Sequence, residues 1–239
     1  MLQSNFRYFM LLLTRAMCDS VKSRDALIAL GFDVFIEPMF EVRYLAAEIT
    51  GLEGYEVVLA TSRHGIIGMA QATDNRSIPI VTVGDSSMKH ALSLGFQNVK
   101  TVSGTAEDLL HYLRTKSYSS KVLYIRGTNI SHDLSKMARN FGITVEELIL
   151  YETIRSTELS PECCYLLSKR KISGVLFYSM ETAKIFMNLV EKKYKECLAT
   201  VAAYTISSRV CDALNTCKWK GVLVSESPTE ESLFRLLLK

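Results

Sequence analysis

One pattern occurs twice in this chain of 239 residues. Glu56-Val-Val-Leu-Ala-Thr-Ser62 and Gly174-Val-Leu-Phe-Tyr-Ser179 each run a short apolar stretch into a serine that a helical pattern follows. A second apolar run comes after each, Ile80-Val-Thr-Val83 and Ala199-Thr-Val-Ala-Ala203, and leads to a paired serine, Ser86-Ser87 and Ser207-Ser208. Third cues close the two sets, Thr105-Ala-Glu-Asp-Leu109 and Pro228-Thr-Glu-Glu-Ser-Leu233. Ser62 and Ser179 lie 117 residues apart, and Glu107 and Glu230 lie 123 apart. A near-constant offset over three elements argues for two related α/β lobes of roughly 100–120 residues each. Two such lobes facing each other make a cleft, and a ligand is expected there.

Short β-rich runs alternate with helical-period segments throughout, the pattern of doubly wound parallel sheets covered by helices. The first unit reads as strand Phe9–Leu13, a helix from Asp19 to Leu30, and strand Asp33–Ile36. Its cousin is strand Lys121–Ile125, helix Ser131–Asn140 and strand Thr144–Leu150. Leu30-Gly31-Phe32, Leu94-Gly95-Phe96 and Phe141-Gly142-Ile143 place a glycine between apolar residues, as a left-handed helix C-cap requires. Ser20, Ser131 and Thr229 are the expected N-caps. Phe40–Arg43 and Glu152–Thr157 read as polar, strand-like connectors. Periodicity alone does not choose between tandem lobes divided near Tyr118 and a swapped arrangement in which the first unit packs with the C-terminal lobe.

Composition excludes several functions. Hydrophobic content of 48% and charged content of 22% supply two ordinary cores. A net charge of +3, with no basic run beyond Lys169-Arg-Lys171, gives no footprint for nucleic acid. The apolar stretch Tyr8–Leu13 is too short for a signal peptide or a membrane span and reads as a strand, so a cytoplasmic protein without a membrane partner is expected. Cys18, Cys163, Cys164, Cys197, Cys211 and Cys217 form no C-x-x-C pair, and His64, His90, His111 and His132 are scattered. No metal is expected.

Ligands of such sheets bind beyond the carboxyl ends of the strands, where helix N-termini direct N–H groups outward. The residues at those positions are Thr14-Arg15, Thr61-Ser62-Arg63, Gly84-Asp-Ser-Ser87, Arg126-Gly127-Thr128, Tyr178-Ser179 and Thr205-Ile-Ser207-Ser208. Hydroxyls, N–H groups and arginines together suit an anionic ligand. Each hydroxyl taken singly is as readily a helix cap, and each arginine a solvated charge. Tyr151 is a candidate phenolic acid at a strand end. No nucleophile elbow, phosphate loop or dinucleotide fingerprint is present.

Eight motifs stand in order along the chain: Leu12-Leu-Thr-Arg15, Leu59-Ala-Thr-Ser-Arg63, Val83-Gly-Asp-Ser-Ser87 with Leu94-Gly95, and Ser103-Gly-Thr-Ala-Glu107. Val122-Leu-Tyr-Ile-Arg-Gly127, Tyr151-Glu-Thr153, Phe177-Tyr-Ser179 and Glu226-Ser-Pro-Thr229 follow. Together they resemble the uroporphyrinogen-III synthase family, the cyclases of tetrapyrrole biosynthesis. The resemblance implies swapped lobes, residues 1–38 plus 156–239 and residues 44–150, joined by linker strands 39–43 and 151–155. It implies a monomer that closes hydroxymethylbilane to uroporphyrinogen III in heme biosynthesis, losing water and inverting the last pyrrole, with no cofactor. The substrate would lie between lobes able to close over it.

Tyr151 is then the catalytic residue. Thr14, Arg15, Thr61, Ser62, Arg63, Ser86, Ser87, Arg126, Gly127, Tyr178, Ser179, Ser207 and Ser208 are the substrate-binding set. The family commonly has a glycine before the second serine-bearing helix, where this chain has Tyr204-Thr-Ile-Ser-Ser208. A two-lobed binding protein or sensor for a small anion is the alternative.

Overall fold

The computed structural model describes residues 10–47, 49–102, 106–116, 121–129, 133–190 and 192–238. Phe9, Ser103-Gly-Thr105, Tyr118 and Ser131, named above, lie outside the described residues. In chain order the elements begin β1 (Met10–Leu13), α1 (Met17–Ala29), β2 (Asp33–Ile36) and β3 (Phe40–Tyr44). Next come β4 (Tyr55–Ala60), α2 (Arg63–Ala72), β5 (Ile80–Val83), α3 (Asp85–Ser93), β6 (Val99–Val102) and α4 (Ala106–Lys116). β7 (Lys121–Gly127), α5 (Leu134–Arg139) and β8 (Val145–Arg155) follow, then α6 (Pro161–Ser168), β9 (Ile172–Phe177), α7 (Met180–Leu189) and α8 (Lys192–Lys195). β10 (Ala202–Thr205), α9 (Ser208–Cys211), β11 (Gly221–Val224) and α10 (Glu230–Leu237) complete the chain.

The chain divides into two compact units, Met1–Glu41 with Ile154–Lys239, and Val42–Thr153. The discontinuous unit carries a five-stranded sheet in the order β11-β10-β9-β1-β2, with all its recorded ladders parallel. The continuous unit's sheet runs β6-β5-β4-β7-β8-β3, parallel from β6 through β8. Read outward, β11, β10, β9, β1, β2 occupy the positions of β6, β5, β4, β7, β8. The repeat is thus spatial as well as sequential.

Both faces of each sheet are covered, so apolar residues alternate between two cores instead of facing water. Leu12 joins one cluster of the discontinuous unit while Leu11 and Leu13 join the other. In β4, Val58 and Ala60 face one cluster, Val57 and Leu59 its counterpart. Gly31, Gly95 and Gly142 have φ of +89°, +89° and +73°. After each, the next residue's N–H returns to the helix, as in Phe32 N–H to Leu27 O at 3.1 Å, which closes the expected C-caps.

Three local expectations are corrected. Ser20 does not cap α1: Ala16 is the N-cap, and Ser20 lies inside the helix with its hydroxyl donating to Arg15 O at 2.9 Å. Asp133 caps α5, its carboxylate accepting from Lys136 N–H at 2.8 Å. β8 does not stop at Leu150: with β3 as its neighbour it runs 11 residues, from Val145 to Arg155, which places Tyr151 inside a strand.

Candidate active site

In each sheet the crossovers diverge between the same two positions, β4 and β7 in one unit and β9 and β1 in the other. Loops leave such a point in opposite directions, which opens a crevice at the strands' carboxyl ends.

In the continuous unit this point gathers hydroxyl and imidazole groups. Ser62, at the end of β4, is the N-cap of α2, and its Oγ accepts from His64 N–H at 3.1 Å. Thr61 Oγ1 lies 2.9 Å from the phenol of Tyr124, which burial holds above its ordinary pKa although the Thr61 hydrogen bond acts the other way. Tyr151 lies opposite Gly127, where the β7–β8 register slips, and its carbonyl accepts from Thr128 N–H at 3.0 Å. The His64 ring centroid is 5.6 Å from that of Tyr151, and Tyr44 OH is 2.9 Å from His64 Nδ1. Arg63 is the first residue of α2 and half-buried.

On the neighbouring strand, Gly84 caps α3 with φ +78° and no side-chain bond. Ser86 and Ser87 sit in that first turn, and among the described residues neither hydroxyl has a recorded protein partner. The equivalent turn in the other unit lacks the glycine, and Ile206 has no positive φ. There α9 is a single turn, Ser208–Cys211, with Ser207 at its N-cap making no side-chain cap bond. Ser179 does cap α7, accepting from Thr182 N–H at 3.1 Å.

Several candidates are already engaged within the protein. Thr14 is fully buried and its hydroxyl donates to Leu176 O at 2.8 Å, so its side chain stitches β1 to β9. Arg126 belongs to β7 and is not beyond it; its guanidinium grips Glu147 at 2.7 Å and donates to Gly127 O and Thr128 O. Arg15 pairs with Glu230 at 3.0 Å and lies 4.2 Å from the centre of the Tyr178 ring. Tyr178 donates to the same Glu230 oxygen at 2.9 Å, and burial, then that carboxylate, holds its phenol well above the ordinary value. Gly127 is buried: a Cβ there would lie 2.6 Å and 2.7 Å from Cε2 and Cζ of Tyr151, so this glycine makes room for a ring.

His64, Tyr44 and Glu230 were not candidates from the sequence. His64 stands directly after Thr61-Ser62-Arg63, in the first turn of a helix behind its cap, and that position was legible. Tyr44 and Glu230 act through partners distant in sequence.

The family model described as uroporphyrinogen-III synthase HemD matches residues 22–235. The chain belongs to the uroporphyrinogen-III synthase family. Among solved structures, uroporphyrinogen-III synthetase from Helicobacter pylori is similar over 96% of this chain and 98% of that one, with TM-score 0.64 and 14% identity. A mutant uroporphyrinogen III synthase from the extremely thermophilic bacterium Thermus thermophilus is similar over 96% and 97%, with TM-score 0.57 and 15% identity. At such identities these likenesses concern the fold. No curated protein sequence matches the chain. Membership makes the protein an enzyme of heme biosynthesis, a cyclase of the uroporphyrinogen-III synthase type, and nothing supports the alternative of an anion sensor. Among the described residues, no helix is long and apolar enough to cross a membrane.

Proposed function

We propose that the chain acts as a hydro-lyase on hydroxymethylbilane, expelling the hydroxymethyl oxygen as water and closing the ring to uroporphyrinogen III with the last pyrrole inverted. The observation that carries the residue assignment is the phenol of Tyr151, half-buried at the crevice of the continuous unit beside the first turn of α2. A phenol there protonates, or hydrogen-bonds, the departing hydroxyl. Dehydration and ring closure change no net oxidation level, so the reaction calls for no redox cofactor.

The substrate's carboxylates require many donors. In this reading Ser62, Arg63, Ser86 and Ser87 serve from one unit, Ser179, Ser207 and Ser208 from the other, together with helix N-terminal N–H groups. Thr61 contributes through its hydroxyl shared with Tyr124. Residues 39–43 and 151–155 act as the linker, and the protein works as a cytoplasmic monomer. Because donors are many, one Ser→Ala change costs about 0.5–1.5 kcal/mol of binding, the net worth of a hydrogen bond.

The test supplies fresh hydroxymethylbilane and resolves the product isomers, since unassisted closure gives the uninverted type I ring. The wild-type chain should yield type III, and Tyr151→Phe should lower turnover more than any Ser→Ala change while thermal stability holds. Type I product from folded protein would overturn the activity. Wild-type turnover in Tyr151→Phe would remove the acid alone.

A further inference from the structure

We propose that His64, locked by Tyr44, is a positioning residue for the Tyr151 phenol. The proposal rests on the role given to Tyr151 above.

A half-buried phenol turns about two side-chain bonds, and exposed side chains change rotamer in picoseconds to nanoseconds. A proton donor needs one direction, held before the substrate arrives. Three contacts supply it here. The Tyr151 carbonyl accepts from Thr128 N–H at 3.0 Å, fixing the backbone next to the register slip. Gly127 lies directly beneath the ring, so near that a Cβ would sit 2.6 Å from Cε2 and 3.1 Å from the hydroxyl oxygen. The His64 ring packs 5.6 Å away, centre to centre, inclined at 50°.

His64 is itself held at both ends. Its N–H donates to Ser62 Oγ at 3.1 Å, which fixes its backbone in the first turn of α2. Its Nδ1 lies 2.9 Å from Tyr44 OH, at the last residue of β3. An apolar side chain would fill the same space against Tyr151, but it would have no group for Tyr44 to hold. The imidazole therefore links a strand, a helix cap and the phenol within one unit.

The experiment measures kcat and KM on hydroxymethylbilane for the full chain. His64→Ala should lower kcat about 10- to 100-fold, the scale of a misplaced reacting group, with KM changed about twofold or less. Tyr44→Phe should follow with a smaller loss, and the double variant should be no slower than His64→Ala, because Tyr44 acts through the imidazole. In a Tyr151→Phe background, His64→Ala should add no further loss. Gly127→Ala should slow turnover by lifting the ring, and His64→Ala keeps the test decisive if that variant fails to fold.

Slow Tyr151→Phe together with wild-type kcat in His64→Ala would overturn the positioning role alone. Multiplicative losses in the Tyr151→Phe background would overturn it as well. Wild-type kcat in Tyr151→Phe would defeat the acid and its positioning together.

Discussion

Gly68→Ala separates two effects that a helix normally combines. Replacing a helix-interior glycine by alanine gains about 1 kcal/mol, because the backbone loses less freedom on folding. At Gly68 the new Cβ would lie 2.7 Å from Leu150 Cβ and 3.2 Å from Leu150 O, atoms fixed by β8 and unable to swing aside. Helix and strand must then part by several tenths of an ångström, and overpacking of that kind costs about 1–3 kcal/mol. Contact at 2.7 Å puts the cost in the upper part of that range, about 2–3 kcal/mol, so the net is a loss of about 1–2 kcal/mol, or about 2–8 °C in Tm for a protein of this size.

Gly65→Ala is the control. It receives the same propensity gain but meets Ile125 O at 3.2 Å, a milder approach, so its Tm should stay near wild type. The strain at Gly68 falls on Leu150, the residue before Tyr151, so kcat should fall as well in Gly68→Ala. Thermal melts and turnover of the two variants decide the matter. A Gly68→Ala protein as stable as Gly65→Ala would refute the reasoning.

Two further outcomes are expected. Arg170 ends α6 with φ +52°, its N–H bonded to Leu167 O at 3.0 Å, so Arg170→Gly should relieve left-handed strain and raise Tm by about 1–4 °C after the glycine entropy cost is subtracted. The Tyr178 phenol is held above its ordinary 10.0 by burial and then by Glu230. The unfolded chain therefore ionises first, and the stability present below pH 10 declines as pH rises toward the folded value. Urea unfolding across that range should show a shallower decline in Tyr178→Phe.

The sequence carried the parts of the fold that depend on neighbours. The serine-ended strands, the glycine C-caps and the alternating cores all follow from residues within a turn or a strand of one another. It did not carry decisions made by distant partners. Thr14 reads as a strand-end hydroxyl, yet the carbonyl of Leu176, 162 residues away, accepts its hydrogen bond. Arg15 reads as a ligand for anions until Glu230, 215 residues on, neutralises it. Tyr151 reads as a strand end because Glu152-Thr153 breaks the apolar run, whereas β3 as an edge neighbour lets the strand run on. Ser20 shows the same limit at short range, since its hydroxyl had a choice of backbone partners and took Arg15 O.

The two units share an edge geometry and differ in what they place there. Between β9 and β1, Arg15, Tyr178 and Ser23 all donate to Oε1 of Glu230, so the guanidinium charge is balanced from within. A ligand carboxylate arriving there must displace Glu230 or rely on the hydroxyls and N–H groups of the helix starts. Between β4 and β7 the Arg126 guanidinium is likewise balanced, by Glu147 at 2.7 Å, but Tyr44, His64, Tyr124 and Tyr151 add phenols and an imidazole. Many weak donors are what a polycarboxylate needs, because strong fixed charges would hold substrate and product alike. A departing hydroxyl needs something else, one well-directed proton donor. In the proposed reading that donor is Tyr151, which is why the leaving group is placed with the phenols and imidazole of the continuous unit.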